Sequence, residues 1–412
     1  MSLPLSRVEL IALVAALFAC VAFSLDAMLP AMPQMAQQLS PEDPNRIGLV
    51  LTVFVLGLGI GTFLTGPLSD AFGRRAVILW GAALFILASA VAWQSDDLTV
   101  VLLSRLVQGL AAAAPRVVAM AVLRDVFSGR AMAQVMSFVM MIFMIVPAIA
   151  PLMGSFVINA WDWHGIFMAF VIFMGALGLW VALRLPETLA VSDRRPFRAP
   201  LLWSAVREMI LHPTVRISII VQVLSMAVLF STLTMVQPIY DTVYDRAESF
   251  PYWFGAVAVV AGTGSLLNAV LVVRIGMRRM VAYVYLGQML ITVAVLAHIY
   301  LGQTEVGAFW VFVFWQVSIF FMGGLTMGNL NAIAMEPMGH IAGLAASVIG
   351  GIATVLAAPV ATVIGLSFDG TLRPLAIGIL GLTVAGYLSM RAMAKAEARM
   401  ARDLAAGATA GP

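Results

Sequence analysis

Charge is the scarcest feature of this chain. Of 412 residues only 10% are Asp, Glu, Lys or Arg, while 62% are hydrophobic; ordinary soluble domains carry about 25% charged residues. A solvent-facing surface of normal extent is excluded. The single cysteine, Cys20, excludes an internal disulfide and leaves the redox compartment unread. No GxxxxGK[ST] phosphate loop and no CxxC pair occurs, and the four histidines (His164, His212, His298 and His340) lack metal-ligand spacing. Nothing here reads as an enzyme, a cofactor or metal site, or a nucleic-acid binder. ATP-driven work would need a nucleotide domain, so the expected energy source is an ion gradient or another subunit.

What the chain has instead is length of apolar sequence. About twelve runs can cross about 30 Å of hydrocarbon: 8–29, 46–66, 76–94, 98–122, 132–159, 164–184, 213–237, 251–273, 280–301, 306–330, 341–366 and 372–393. The first is too long for a signal peptide and no small-residue cleavage site follows it, so it reads as a retained helix. The expected fold is an all-α polytopic membrane protein whose twelve transmembrane helices form two pseudo-symmetric six-helix halves.

The few charges are unevenly placed. With a cytoplasmic N-terminus, Arg7, Arg74, Arg75, Arg124, Arg184, Arg194, Arg195, Arg198, Arg207, Arg216, Arg274, Arg278, Arg279 and the tail arginines fall on the cytoplasmic side. The opposite side carries mostly acids, among them Glu42, Asp43, Asp96, Asp97, Asp241 and Asp369. The positive-inside rule then places both termini in the cytoplasm. The one long interior connection, rich in Arg and Pro, divides the spans six and six. The expected units are residues 1–185, a linker at 186–212, residues 213–393, and a tail at 394–412. Two echoes, each roughly two hundred residues apart, support duplicated halves: FSLDAMLPAMP from Phe23 with FSTLTMVQPIY from Phe230, and FGRR from Phe72 with IGMRR from Ile275. Duplicated halves with a site between them are a transporter architecture.

An ionisable residue within a bilayer costs at least ~2.5 kcal/mol and calls for a reason. Asp26 and Arg105 fall at similar depth in the first and fourth spans. If those helices are neighbours, the two would pair, and protonating Asp26 would release Arg105, a proton-coupled switch. A static ion pair, or Asp26 snorkelling without a partner, are the structural alternatives. The matching residue of the second half is Leu233, which suits a single proton site. Arg116, three turns after Arg105, would reach the same cavity more deeply or snorkel to the headgroups. Gln108, Gln222, Gln237, Tyr240, Trp315, Gln316, Asn329 and Asn331 are the other candidate cavity residues, with interhelical packing as the plainer role for any one of them. Pro147, Pro151 and Gly154 should bend the fifth span, as a hinge or a fixed kink. Trp93, Trp161, Trp163, Tyr252 and Trp253 read as interfacial belt residues.

The segment GPLSDAFGRR reads as a short charged turn between the second and third spans, in which Gly66 and Gly73 allow close approach and Asp70, Arg74 and Arg75 supply opposite charges. Its spacing resembles the loop signature of the major facilitator superfamily. SRLVQGLAAAAPR resembles that family's fourth-helix motif at Arg105, Gln108 and Gly109, and VPAIAPLMGSF the fifth-helix motif of its drug:proton antiporters. SLDAMLPAMP, VLRDVF and MGHIAGLAASVIGG resemble the Bcr/CflA drug-resistance subfamily. The sequence departs at Ala71, where a basic residue is usual, at Ala150 and Ser155 in the antiporter motif, and at His164, where arginine is usual.

The resemblance implies a multidrug efflux transporter in a bacterial inner membrane, exchanging hydrophobic or amphipathic molecules for protons. It implies a cytoplasmic gate at Gly66, Asp70, Gly73, Arg74 and Arg75, and proton coupling at Asp26 and Arg105. The expected partners are a small-molecule substrate, protons and lipid, with the chain working as a monomer. A dedicated exporter of one metabolite, such as an amino acid or siderophore, would need more charge in its cavity. A non-transporting receptor would need a large signalling segment.

Overall fold

A computed structural model describes residues 5–194, 196, 199–301 and 305–409. The linker arginines Arg195 and Arg198 and residues 410–412 of the expected tail lie outside the described residues. Among the described residues, twelve helices are long and apolar enough to cross a membrane. They are α1 (Arg7–Asp26), α2 (Leu49–Phe72), α3 (Arg74–Trp93), α4 (Leu98–Val126), α5 (Gly129–Trp161), α6 (His164–Arg184), α7 (Pro213–Pro238), α8 (Phe250–Ile275), α9 (Met277–Tyr300), α10 (Glu305–Met335), α11 (Ala342–Leu366) and α12 (Arg373–Thr409). Among the described residues there is no strand. Apolar sequence dictates this outcome, because in lipid a helix is the local way to satisfy every backbone N–H and C=O.

Most helix ends fall within a few residues of the apolar runs. The exceptions are informative. The first run continues past Asp26 through a 3-10 turn into a second short helix, Met32–Leu39. GPLSDAFGRR is not a loop: α2 runs through Phe72, α3 starts at Arg74, and Gly73 alone makes the reversal with φ 98° and ψ 156°. A side chain is strained at that φ, so glycine is required. Gly276, between α8 and α9, repeats the device with φ 82° and ψ 148°, so the FGRR and IGMRR echo is a shared backbone geometry. α12 continues to Thr409, so the expected tail begins as helix. The linker contains a helix, Ala199–Leu211, that packs on α11 and buries Ala205 and Met209.

The two halves are built alike. α2 packs on α4 in the first half and α8 on α10 in the second. At the first of these crossings a Cβ on Gly109 would strike the Phe54 carbonyl oxygen, and one on Gly57 the Leu106 carbonyl, so the backbones touch only because both are glycine. The halves meet along α2 with α11 and α5 with α8. Away from the chain ends, Asn45 Nδ2 donates to the Phe368 carbonyl across that junction at 2.7 Å.

Candidate functional site

A cavity of about 350 Å³ lies between the halves, with walls from α1, α2, α4, α5, α7, α8, α10 and α11. Its lining is apolar apart from Asp26, Arg116 and Thr354, and includes Phe18, Met226, Phe230, Phe254 and Phe320. Asp26 sits at the last position of α1, where the chain turns toward Met32–Leu39. Its carboxyl makes no hydrogen bond or ion pair with a described residue and is buried but for its face on the cavity. Leu233, its counterpart in the repeat, lines the same cavity from α7. Arg116 enters from α4 and is accessible there, whereas Arg105, three turns earlier, does not line this cavity.

Toward the side away from the chain ends, Leu25, Leu29, Leu51, Val55, Phe230 and Leu233 close over the cavity and leave a void of about 10 Å³. That is at the lower limit for a single water.

The expected Asp26 to Arg105 pair does not form, although α1 and α4 are neighbours. Arg105 is fully buried, with Nε donating to the Val50 carbonyl (3.0 Å), Nη2 to the Ser24 carbonyl (3.0 Å) and Nη1 to Gln108 Oε1 (2.8 Å). Its guanidinium also lies 4.3 Å from the Phe54 ring centroid. Ser24 is in the last turn of α1, whose carbonyls have no helical partner and carry the negative end of the helix dipole. Those oxygens, with the aromatic face, satisfy the guanidinium without a carboxylate. Gln108 Nε2 passes the chain on to Ser89 Oγ of α3 at 2.7 Å. Arg105 and Gln108 therefore bind α1, α2, α3 and α4 together, and Gln108 is not a cavity residue.

The other candidate amides and aromatics of the second half also miss the cavity. Tyr240 donates to Gln316 Oε1 (2.9 Å) within a cluster of Phe250, Phe309 and Phe312. Trp315 Nε1 donates to Thr292 Oγ1, and Asn329 Nδ2 to Asn268 Oδ1. Gln222 is buried with Nε2 unpartnered, Gln237 lines a separate small cavity beside Pro44, and Asn331 is exposed on α10. Tyr240, Trp315, Gln316 and Asn329 thus join elements within one half. Pro147 lines the cavity in an unbroken α5, and Gly154 packs on the Ala27 carbonyl. Trp163 is buried, not interfacial: its Nε1 donates to Gln38 Oε1 at 2.5 Å. His164 stacks on Trp163 and reaches Asp162 and Asp96, both at 3.2 Å.

At the turn between α2 and α3 the charges form one network. Arg74 Nη1 meets Asp70 (2.5 Å) and Ser69 Oγ (2.6 Å), and its Nε reaches Asp125 of α4 (3.1 Å). Arg75 Nη2 donates to the Ala182 carbonyl of α6. Sequence reasoning missed Glu187, whose carboxylate accepts from the backbone N–H groups of Arg74 (2.8 Å) and Arg75 (3.1 Å) and so caps α3 from the linker. The only sequence signal for it was an acid at the very start of an arginine-rich connection. Gly66 faces the second half, where Ser347 of α11 lies against it. In the second half Arg278, just after Gly276, pairs in the same manner with Glu336 and Glu397, each at 2.8 Å.

Comparison with known proteins points one way. The Major Facilitator Superfamily model matches residues 14–362. A bicyclomycin resistance protein homolog of Haemophilus influenzae is 29% identical over 341 residues, 80% of this chain and 82% of that protein. The multidrug resistance protein MdtL of Shewanella oneidensis is 34% identical over 157 residues, 38% of each chain. Among solved structures, a D-xylose-proton symporter superposes with a TM-score of 0.73 at 15% identity, over 94% of this chain and 97% of that one.

Proposed function

We propose that this chain, which belongs to the major facilitator superfamily, is a proton-coupled exporter of apolar or amphipathic small molecules. One observation carries the reading: Asp26 is an unpaired carboxyl in an otherwise greasy cavity between the halves, shared with the single cation Arg116. An ion held in such surroundings interacts strongly with any other charge brought in. With Asp26 ionised the two side chains balance, and a lipophilic cation is tolerated between apolar walls. With Asp26 protonated the cavity is net positive and expels it. Opening the layer of Leu29, Leu51 and Phe230 would admit protons from outside to Asp26 and let the cargo leave. Loss of that proton to the cytoplasm would reset the cycle.

Arg105 has a different part from the one its motif suggests: it holds α1 to α4 as a block, against which α5 and the second half can rock. The names of the bicyclomycin resistance and MdtL relatives favour drugs as cargo. The charge distribution favours cytoplasmic termini and a bacterial inner membrane, with Asp70, Arg74 and Arg75 at the cytoplasmic gate. The test is efflux of a lipophilic cationic dye from reconstituted vesicles under an imposed pH gradient. Asp26→Asn, which fixes the neutral state, should abolish the gradient-driven component and weaken binding of the cationic dye, and undiminished gradient-driven efflux would overturn the reading.

A further inference from the structure

A second cavity lies elsewhere, wholly within the second half, at the end remote from the chain ends. It measures about 640 Å³ and is bounded by residues 243–246 after α7, the end of α9, the start of α10 and residues 370–373 before α12. Its walls are aromatic, from Tyr244, Trp253, Phe309 and Phe312.

Three nitrogen groups in this lining lack acceptors. The Arg246 guanidinium lies 4.4 Å from the Phe309 ring centroid, and that of Arg373 lies 5.3 Å from the Tyr300 centroid. Neither makes a side-chain hydrogen bond or ion pair with a described residue. A guanidinium laid on a ring keeps its N–H groups in the plane, free for an anion. His298 adds Nε2, shielded from solvent and without a partner. One acid, Asp245, shares the lining and offsets one of the two guanidinium charges, which leaves the lining net positive. Asp369 lies outside the lining, and its Oδ1 accepts from both the hydroxyl and the backbone N–H of Thr371. The Thr371 hydroxyl, with Arg373 adding a smaller share, holds the Asp369 carboxyl below the usual carboxylate range. The Tyr244 hydroxyl is spent on the Ala308 carbonyl.

We propose that this cavity is a second binding site, for an anionic amphiphile: an apolar body against the aromatic walls, and one carboxylate or phosphodiester held between Arg246 and Arg373. A free organic acid and an anionic lipid share that chemistry. The site is independent of the central cavity and of the efflux reading.

Native mass spectrometry of the full-length protein released from detergent, titrated separately with laurate, phosphatidylglycerol, phosphatidylcholine and dodecyltrimethylammonium, tests it. At least one of the two anionic probes should form a one-to-one adduct, weakened tenfold or more by Arg246→Gln with Arg373→Gln. Arg246→Lys should fall between. Saturation by laurate alone identifies a free acid as the ligand, and by phosphatidylglycerol alone a lipid. Adducts indifferent to both arginines, or equal binding of the cationic probe, would overturn the proposal. Should the double variant misfold, either single Gln variant gives the same comparison.

Discussion

Asp26 and Leu233 face one cavity from opposite halves of the molecule, at matching places in a repeated segment. The duplication has kept the position and changed its chemistry, which leaves one carboxyl where symmetry would supply two. A carboxyl moved to the other half should therefore meet the same space. In an Asp26→Asn background, Leu233→Asp is expected to restore part of the pH-gradient-driven dye efflux. A double variant as inert as Asp26→Asn alone would show that the two sites are not interchangeable.

Arg105 should behave as a tie, not as a titrating group. Arg105→Lys removes the fork that serves Val50, Ser24 and Gln108 together. Its cost is expected at about 1–3 kcal/mol for buried acceptors left without donors. Thermal unfolding in detergent would register it, while the pH profile of residual efflux should stay where the wild type has it. A displaced profile would return Arg105 to the proton pathway.

Gly109→Ala places a methyl against the Phe54 carbonyl, so α2 and α4 must part. Overpacking of this kind costs about 1–3 kcal/mol, and a lowered melting temperature should follow. Gly175→Ala in α6 is the control. A Cβ there meets nothing within 4 Å, and the exchange should be neutral or stabilise by up to about 1 kcal/mol.

Glu187→Ala should cost about 0.5–2 kcal/mol, the usual value of an N-terminal cap. Because Glu187 also pins the linker to α3, limited proteolysis between residues 186 and 199 should accelerate in the same variant. Unchanged cleavage would mean that the rest of the linker holds this connection without it.

The sequence made the spans legible, because they depend only on where apolar runs begin and end. It did not reveal azimuth. Tyr240, Gln316 and Asn329 sit in helices that are apolar on every side, so no stripe tells which way a polar side chain points, and each proved to face a neighbour within its half. Arg105 was misjudged for a related reason: depth matched it to Asp26, but the acceptors it found were the backbone carbonyls of Ser24 and Val50, which carry no residue-type signal. Asp26 and Arg116 both line the cavity between the halves, but the partner expected for Asp26 was Arg105, not an open space. Glu187 was overlooked because a capping carboxylate that arrives from a distant connection leaves no local spacing to read.

Gly73 is the whole connection between α2 and α3. One residue spans at most about 3.6 Å, a small fraction of the bilayer's thickness, so the two helix ends it joins cannot settle at different depths. Gly276 holds the facing ends of α8 and α9 level in the same way. A lengthened joint at either glycine would let those ends slide past one another along the membrane normal.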